Sequence, residues 1–576
     1  MAKKDYSNLT KDQLLEVIEK LEGKKKYGLV WDEERVPEKV VTDCQDKLPV
    51  LTEVKGKEII TDENEPTHIL IEGDNYHALS VLNYTHKGKI DLIYIDPPYN
   101  TGYKDFIYND KYVEKEDTWR HSKWLQFMNK RLILAKELLT DKGLIFISID
   151  DNEIGQLKLL CDDIFSEEKL MGIIHWRKNR KPHNASGTIS KSAEFILVYA
   201  KNEKIKLVQE YTLKGNNEKG NFSEGPIIKA DKKERIYMFP KGLKCEAKNI
   251  EKGINTSARN PKLYIEYLDK PIIENGILQN NVRIKGRYCV TNERGMLSRE
   301  IEKGNVFINK NGVPKLITYR EELLGKVANN LWIDKGYNED ANEEIKELFD
   351  VDLASEVFNY PKPTELVKEI GRCINKKDAL ILDFFAGSGT TLHSILSLNN
   401  EDKGNRRVII CSSNENNNGN GKIVDTVMYP RVEKVIKGYK KKNGQIIEGL
   451  GNNLKYFKTS FVANNRNKDQ LKIDITKRCT EMLCLKEGIF NLIREEADYK
   501  IFQQGNRYLA VYYDFANASL DELKEEMNAL KGEKVLYCFT VDNHGLDKAN
   551  FRGWKNIRLE PIPQKILDVY KRIFKN

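Results

Sequence analysis

From about Thr67 onward, short apolar runs alternate with amphipathic stretches. "HILIEGDN" reads as a strand ending in Gly73-Asp74, "YHALSVL" as a helix, and "IDLIYIDPPY" as another strand. "WLQFMNKRLILAKELL" has the periodicity of an amphipathic helix, whereas "GLIFISIDD", "MGIIHW" and "EFILVYAKN" read as further strands. Strands separated by helices predict an α/β fold with a doubly wound, mostly parallel sheet. The rhythm lapses between about Asn202 and Ala354, where "KGNNEKGNFSEG", "KADKKER" and "KGLKCEAKNIEKG" are polar, basic and rich in turn residues. That stretch reads as an inserted domain of short, mainly β elements.

The α/β rhythm returns in "ALILDFFAGSGTTLHSILSL" and "RRVIICSSNE". Beyond the basic turn "GYKKKNG", the segments "YLAVYYDF", "SLDELKEEMNAL" and "EKVLYCFTV" predict a small separate α/β domain. Near the start, Thr10 and Gln13 form a capping pattern ahead of the stripe Leu14, Ile18 and Leu21, a helix expected to pack on its own chain. The expected divisions are a helical or extended segment at 1–66, half a domain at 67–202, an insert at 203–355, the second half at 356–435, and a last domain at 436–576.

Composition changes this picture little. The 95 basic and 87 acidic residues give a net charge of +8, a mild sign of a polyanionic partner that solvated lysines explain as well. Nine scattered cysteines include no CxxC pair and no zinc-finger spacing, so no metal site is expected and buried thiols of a reduced compartment are. "MAKKDYSN" has no apolar signal core and no apolar run approaches membrane-span length. A soluble cytoplasmic chain with no membrane partner is the expectation.

Two strand ends carry candidate chemistry. "DLIYIDPPYNTGY" places Asp96, Pro97, Pro98 and Tyr99 where a buried strand stops. "DFFAGSGTT" runs from Asp383 to Thr391 with glycines at 387 and 389, between a strand and a helix. Such a turn lets backbone N–H groups approach a ligand at the helix N-terminus: a phosphate, a nucleotide cofactor or an amino-acid moiety. It lacks the last glycine of the dinucleotide fingerprint and the Lys-Ser/Thr pair of a triphosphate loop, so a tight structural turn stays open. Glu415 ends the next strand, about 26 residues on, where an acid suits ribose hydroxyls. If both strands lie in one open parallel sheet, their loops share one edge and one cleft.

Asp96-Pro97-Pro98-Tyr99 followed far downstream by Phe385-Ala386-Gly387-Ser388-Gly389 resembles the amino-methyltransferases of DNA, in the permuted motif order of the β class. With "GDNYHAL", "GLIFISIDDNE" and "YPKPTEL", residues 67–202 and 356–435 resemble the modification subunits of type III restriction systems and their solitary relatives. The insert matches only in position, as a target-recognition domain. The resemblance implies S-adenosylmethionine as methyl donor and N6 of a flipped adenine in double-stranded DNA as acceptor. It implies Asp383, Phe385, Gly387 and Gly389 along the cofactor's methionine portion, Glu415 on its ribose, Asp74 near its adenine, and Lys362 and Thr364 at the methionine end. Thr364 reads equally as a helix N-cap.

The opening tetrapeptide then has a chemical reading. The lone pair of an exocyclic amine is delocalised into its ring. An acceptor-only carboxylate at Asp96 and the carbonyl of Pro97 would bind the two amine hydrogens and localise that pair. The prolines would aim the carbonyl, and Tyr99 would stack on the base for about 1–3 kcal/mol. Asn100, Thr101, Gly102 and "YKDFIYNDKY" form either a mobile loop closing over the base or a surface loop packed by its own aromatics. Asp150 and Asp151 read as helix caps rather than a metal site. His175, Trp176 and His183 read as base contacts or as strand and loop residues.

Three alternatives remain at this stage: methylation of cytosine N4, a DNA-recognition subunit serving mainly a partner nuclease, and methylation of protein or RNA. No helicase or Lys-containing phosphate loop is present, so ATP-driven cleavage would belong to a separate helicase–nuclease (Res-type) restriction subunit. Whether the chain works alone, as a homodimer or in such a complex stays open, as does whether the last domain serves dimerisation or DNA contact.

Overall fold

The strands of the alternating segments join one ten-stranded sheet. In chain order they are β1 (Lys47–Glu53), β2 (Thr67–Glu72), β3 (Ile90–Ile95), β4 (Leu139–Ile149), β5 (Leu170–Arg177), β6 (Ala193–Ala200), β7 (Leu331–Trp332), β8 (Leu380–Asp383), β9 (Arg407–Ser412) and β10 (Asn453–Ala463). Their spatial order is β1-β10-β2-β9-β8-β3-β4-β6-β5-β7. The run from β10 to β4 is parallel throughout, while β1 and β6 run antiparallel to their neighbours. The computed structural model describes residues 10–11, 13–14, 31, 37–62, 65–103, 105–109, 111–181, 189–208, 222–227, 233–255, 264–288, 296–319, 327–414, 422–464, 467–513, 520–540, 546 and 551–574.

The middle strands are buried on both faces, which is why they read as continuous apolar runs rather than alternating ones. The connecting helices are α1 (Asn75–Thr85), α2 (Arg120–Leu138), α3 (Ile154–Phe165), α4 (Asn338–Phe349), α5 (Thr364–Cys373), α6 (Thr390–Asp402) and α7 (Tyr429–Lys437). From β3 the chain passes through α2 to β4 on one side; from β8 it passes through α6 to β9 on the other. Right-handed crossovers moving in opposite directions place α2 and α6 on opposite faces. The sheet therefore has its topological switch point between β3 and β8, the position at which open α/β sheets bind ligands beyond their carboxyl ends.

Two compact units divide the chain: residues 208–328, and everything else. The first holds a four-stranded and a three-stranded antiparallel sheet around its own core of Phe239, Ile265, Tyr267, Ile284 and Tyr288. The insert is thus shorter than the expected 203–355. Residues 331–349 return to the large unit as β7 and α4, with Ile345 and Leu348 buried. Two outer strands also come from beyond the expected domain halves: β1 from the N-terminal segment and β10 from the C-terminal one. The expected separate last domain is not a unit of its own: its five-stranded sheet and α8 (Gln564–Phe574) share the core of the large unit, and the Tyr570 hydroxyl of that helix donates to the Pro49 carbonyl on β1.

Thr10 and Gln13 make the reciprocal capping bonds, Gln13 N to Thr10 Oγ1 at 3.4 Å and Thr10 N to Gln13 Oε1 at 3.0 Å. Ile18, Leu21, His183 and Glu415 lie outside the described residues. All described cysteines are free and buried. Among the described residues, no helix is long and apolar enough to cross a membrane.

A buried guanidinium ties this layer together. Arg131 on α2 donates to both Glu38 oxygens, at 3.0 and 2.7 Å, and to Asn75 Oδ1. Asn75 in turn donates to the Phe384 carbonyl at 3.0 Å, just beyond β8. Arg131 is fully buried and Glu38 nearly so. Arg131→Met is expected to leave that carboxylate buried without its partner and cost about 3–5 kcal/mol. The urea midpoint at constant m-value measures this; a loss below about 1 kcal/mol would show that Glu38 is held otherwise.

Candidate active site

β3 and β8 are hydrogen-bonded neighbours, pairing Leu92 with Ile381 and Ile93 with Leu382. Asp96, Pro97, Pro98 and Tyr99 leave the end of one strand; Asp383 and the glycine turn leave the end of the other. Neighbouring strands lie about 5 Å apart, so the two turns open on the same rim.

Asp96 sits in a dense polar network. Its Oδ1 accepts from the Tyr99 hydroxyl at 2.9 Å and lies 3.0 Å from Lys362 Nζ. Among the described residues nothing binds Oδ2. The Tyr99 oxygen lies 3.0 Å from Glu194 Oε2 and accepts from Lys362 Nζ at 2.8 Å. Lys362 Nζ also reaches Glu194 Oε2 at 3.3 Å, and Lys178 Nζ holds Glu194 Oε1 at 3.1 Å. The ammonium is 4.9 Å from the Tyr99 ring centroid. With the hydroxyl bond at 2.8 Å it therefore sits at the hydroxyl end of the ring, as a hydrogen-bond donor rather than a cation over the face.

The side chains of Lys362 and Glu194 are 10% and 8% exposed, that of Asp96 25%. Burial raises the Asp96 pKa against the pull of Lys362, and Glu194 adds to the rise. Burial also works against ionisation of Glu194, but Lys362 and Lys178 outweigh it and hold its pKa low. Asp96 and Glu194 together keep Lys362 protonated despite its burial.

Rigid backbone aims these groups. The Trp124 indole N–H on α2 bonds the Pro98 carbonyl at 2.7 Å. Lys362 is flanked by Pro361 and Pro363, which fix φ on both sides. Asn100 takes a left-handed backbone at φ +57° and is buried, its amide donating to Glu153 Oε1 at 2.6 Å. His121 Nδ1 shares that oxygen at 2.5 Å. In the segment that follows, Phe106, Tyr108 and Val113 are buried in the core, with Phe106 against Phe127 on α2 at 5.2 Å. The aromatics of this segment thus pack on the core, while Tyr103 is 75% exposed.

The glycine turn is shaped by Asp383. Its Oδ1 accepts from Phe385 N at 2.9 Å and its Oδ2 from the Thr391 hydroxyl. No cationic side chain bonds it among the described residues. Burial, with repulsion from Asp96, pushes it up to about 7. Gly387 and Gly389 have φ of +49° and +80°. A Cβ on Gly387 would stand 3.3 Å from Phe358 Cζ, and one on Gly389 3.2 Å from Met428 Cγ. Side chains at either position would both strain the turn and fill the space beside it. Phe385 packs on Phe127 at 5.8 Å. Buried Arg431 of α7 braces the turn from beneath, donating to Ser388 Oγ at 3.0 Å and Thr390 Oγ1 at 2.8 Å.

The other candidates fall in different places. Asp74 caps α1 through Tyr76 N at 2.7 Å and lies 3.4 Å from Arg131. Thr364 begins α5 rather than capping it; its N–H and its hydroxyl both donate to Glu344 of α4, the hydroxyl at 2.6 Å. Asp150 accepts from Asn152 N and Nδ2 in its own turn and Asp151 pairs with Lys191 at 3.0 Å, so neither caps α3, whose N-cap is Glu153. His175 is exposed on β5, against Phe195, and Trp176 is buried with its indole N–H on the Gly336 carbonyl. Glu194, Lys178 and Arg431 were not anticipated. Only Glu194 left a trace, as the lone acid opening the apolar run "EFILVYA".

Residues 90–416 match the family model N6_N4_Mtase, described as DNA methylase. The chain belongs to this DNA methylase family. It is 33% identical over 377 residues to the Mod subunit of the type III restriction-modification enzyme StyLTI of Salmonella typhimurium, covering 61% of this chain and 53% of that protein. It is 30% identical over 442 residues to the EcoPI Mod subunit of Escherichia phage P1, covering 70% and 66%. It is 33% identical over 353 residues to the type II methyltransferase M.KpnI of Klebsiella pneumoniae, covering 59% and 79%. The chain spans between about half and two thirds of the length of the two Mod subunits.

The folded chain holds the Asp383 proton more tightly than the unfolded chain, whose value is the ordinary 3.8. The stabilising share of this group is therefore full below about pH 4 and is lost as pH rises through about 7. Asp383→Asn keeps an oxygen for Phe385 N and an amide for the Thr391 hydroxyl. It is expected to be more stable than the parent at pH 8, by on the order of a few kcal/mol, and no more stable at pH 4. Urea unfolding across this range checks it; a constant difference at all pH values would refute it.

Proposed function

We propose that this methylase transfers a methyl group from S-adenosylmethionine to N6 of an adenine flipped out of duplex DNA. One observation carries the reading: the carboxylate of Asp96 and the glycine turn at 387–389 leave adjacent parallel strands at the switch point of the sheet. The cofactor suits the residues present, because it brings an ammonium and a sulfonium to a rim where Asp383 is buried with no cationic partner among the described residues. Asp383, Phe385, Gly387 and Gly389 would hold its methionine portion, with Asp74 toward its adenine and Glu415 on its ribose. When bound, it supplies an electrophilic methyl group on a sulfonium that departs as a neutral thioether.

The chain's own residues act on the amine. Asp96 Oδ2, left open by the Tyr99 and Lys362 bonds to Oδ1, accepts one amine hydrogen, and the Pro97 carbonyl accepts the other. That pairing favours a tetrahedral nitrogen with a localised lone pair. The nitrogen becomes positive as it gains the methyl group and sheds one proton, which Asp96 accepts and passes to water. Tyr99, held at its hydroxyl, offers a ring face to the flipped base. Lys362 acts at Asp96 in this scheme rather than at the cofactor's methionine end. The acid in Asp-Pro-Pro-Tyr favours adenine over cytosine by resemblance.

Inserted residues 208–328 serve as the recognition domain in this reading. Because relatives are Mod subunits of type III enzymes, we assign the chain a modification role in the cytoplasm beside a separate restriction subunit.

Asp96→Ala is expected to abolish label transfer to DNA while S-adenosylmethionine binding, followed by calorimetry, stays within about twofold. Equal loss of both would remove the assigned role. Gly387→Val is expected to weaken cofactor binding first, by tenfold or more. Nucleoside mass spectrometry of methylated DNA names the base, and N4-methylcytosine as product would overturn the adenine assignment. Cofactor affinity is expected to fall as pH drops below about 7, since Asp383 then takes up a proton; Asp383→Asn should lose that dependence.

A further inference from the structure

Glu194 has no place in the chemistry of the tetrapeptide, yet it shares both of that chemistry's partners. It comes from β6, antiparallel to β4, and reaches across to Tyr99 and Lys362. The Lys362 ammonium donates to Tyr99 Oη at 2.8 Å and lies within ion-pair distance of both carboxylates, 3.0 Å from Asp96 Oδ1 and 3.3 Å from Glu194 Oε2. The single Tyr99 hydroxyl proton likewise lies between two carboxylates, 2.9 Å from Asp96 and 3.0 Å from Glu194. Every donor that would quench Asp96 is therefore divided with Glu194.

Resting on the methyl-transfer reading above, we propose that Glu194 is a positioning residue that competes with Asp96 for the Lys362 ammonium and the Tyr99 proton. This competition keeps Asp96 a strong hydrogen-bond and proton acceptor for the target amine. Lys178 sets the balance from the far side, because it binds the other oxygen of Glu194 at 3.1 Å.

The charged and titratable groups facing Glu194 are Asp96, Tyr99, Lys178 and Lys362, with Tyr94 on β3 and Asp150 at the end of β4 also feeling its charge. Two cations and two carboxylates make the inner set neutral. Removing the Glu194 charge delivers Lys362 and the Tyr99 proton wholly to Asp96, which becomes less basic. Removing the Lys178 charge has the opposite effect: Glu194 draws harder on Lys362 and releases Asp96.

The two variants must therefore move one pH profile in opposite directions, which a merely structural role would not do. With the full chain, single-turnover methylation is followed from pH 5 to 9 at saturating cofactor and DNA. Glu194→Gln is expected to lower the plateau rate about tenfold and to move the acid limb about one pH unit down. Lys178→Gln is expected to move that limb up, with cofactor and DNA dissociation constants within about twofold for both. An unmoved limb in both variants, or shifts of the same sign, overturns the proposal. Should Glu194→Gln not fold, an unmoved or lowered limb in Lys178→Gln overturns it alone. A wild-type chain that labels no DNA would instead overturn the methyl-transfer reading itself.

Discussion

The pairing of β8 with β3 is the constraint on which the chemistry depends. Only two residue pairs register the strands, Leu92 with Ile381 and Ile93 with Leu382. That register brings Asp96 and Asp383, 287 positions apart in sequence, to one rim. A slip of one residue would turn every side chain of β8 to the opposite face, and its four buried residues leave no such alternative. The crossovers then diverge, α2 to one side and α6 to the other. The helices that would otherwise cover the rim are carried apart, which makes this strand boundary the place where an open α/β sheet takes a ligand.

Much of this was legible in the sequence, for identifiable reasons. Strands buried on both faces appear as unbroken apolar runs bounded by turn residues, so β2, β3, β4, β8 and β9 stood out. The edges did not. β1 carries a proline within "KLPVLTE", and β7 is two residues long; pairing with distant strands made them strands. Helix α4, "NEDANEEIKELF", has charges enough to read as part of a solvated insert, yet Ile345 and Leu348 bury one stripe of it in the large unit. At the site, Asp96 through Tyr99 were legible because two prolines and a strand-end acid are informative locally. The Lys362 partnership with Asp96 was not, since it links residues 266 positions apart through a loop whose side-chain direction no local pattern sets. Thr364 shows the converse. A threonine at a helix start suggests a cap, but Glu344 from another element captures it.

Two carboxylates at neighbouring strand ends end up with different characters because their surroundings differ. Among the described residues Asp383 is bonded by a backbone N–H and a hydroxyl, and burial pushes its pKa up to about 7. Asp96 has an ammonium and a phenol, yet Glu194 holds back part of what they give. The first arrangement is completed by a cationic ligand. The second already has its positive partner within the protein. Placing both acids in the same surroundings would serve neither role, because each charge would then disfavour the other at a separation of one strand.

In the proposed scheme the Lys362 cluster also bears on how a base enters. Buried ion pairs are costly when any donor or acceptor is left unmet. Here the ammonium has a hydrogen bond to the Tyr99 oxygen and two carboxylate oxygens within 3.3 Å before any base arrives, so its charge is balanced without DNA. A neutral amine approaching Asp96 Oδ2 then adds a hydrogen bond without displacing a charge. The cost of engaging the site thus falls on extracting the base from its stack, a few kcal/mol, rather than on breaking the network that prepares the acceptor. Had Lys362 bound Oδ2 instead of Oδ1, the same residues would form a closed ion pair. The incoming amine would then have to compete with a full positive charge for the one oxygen it needs.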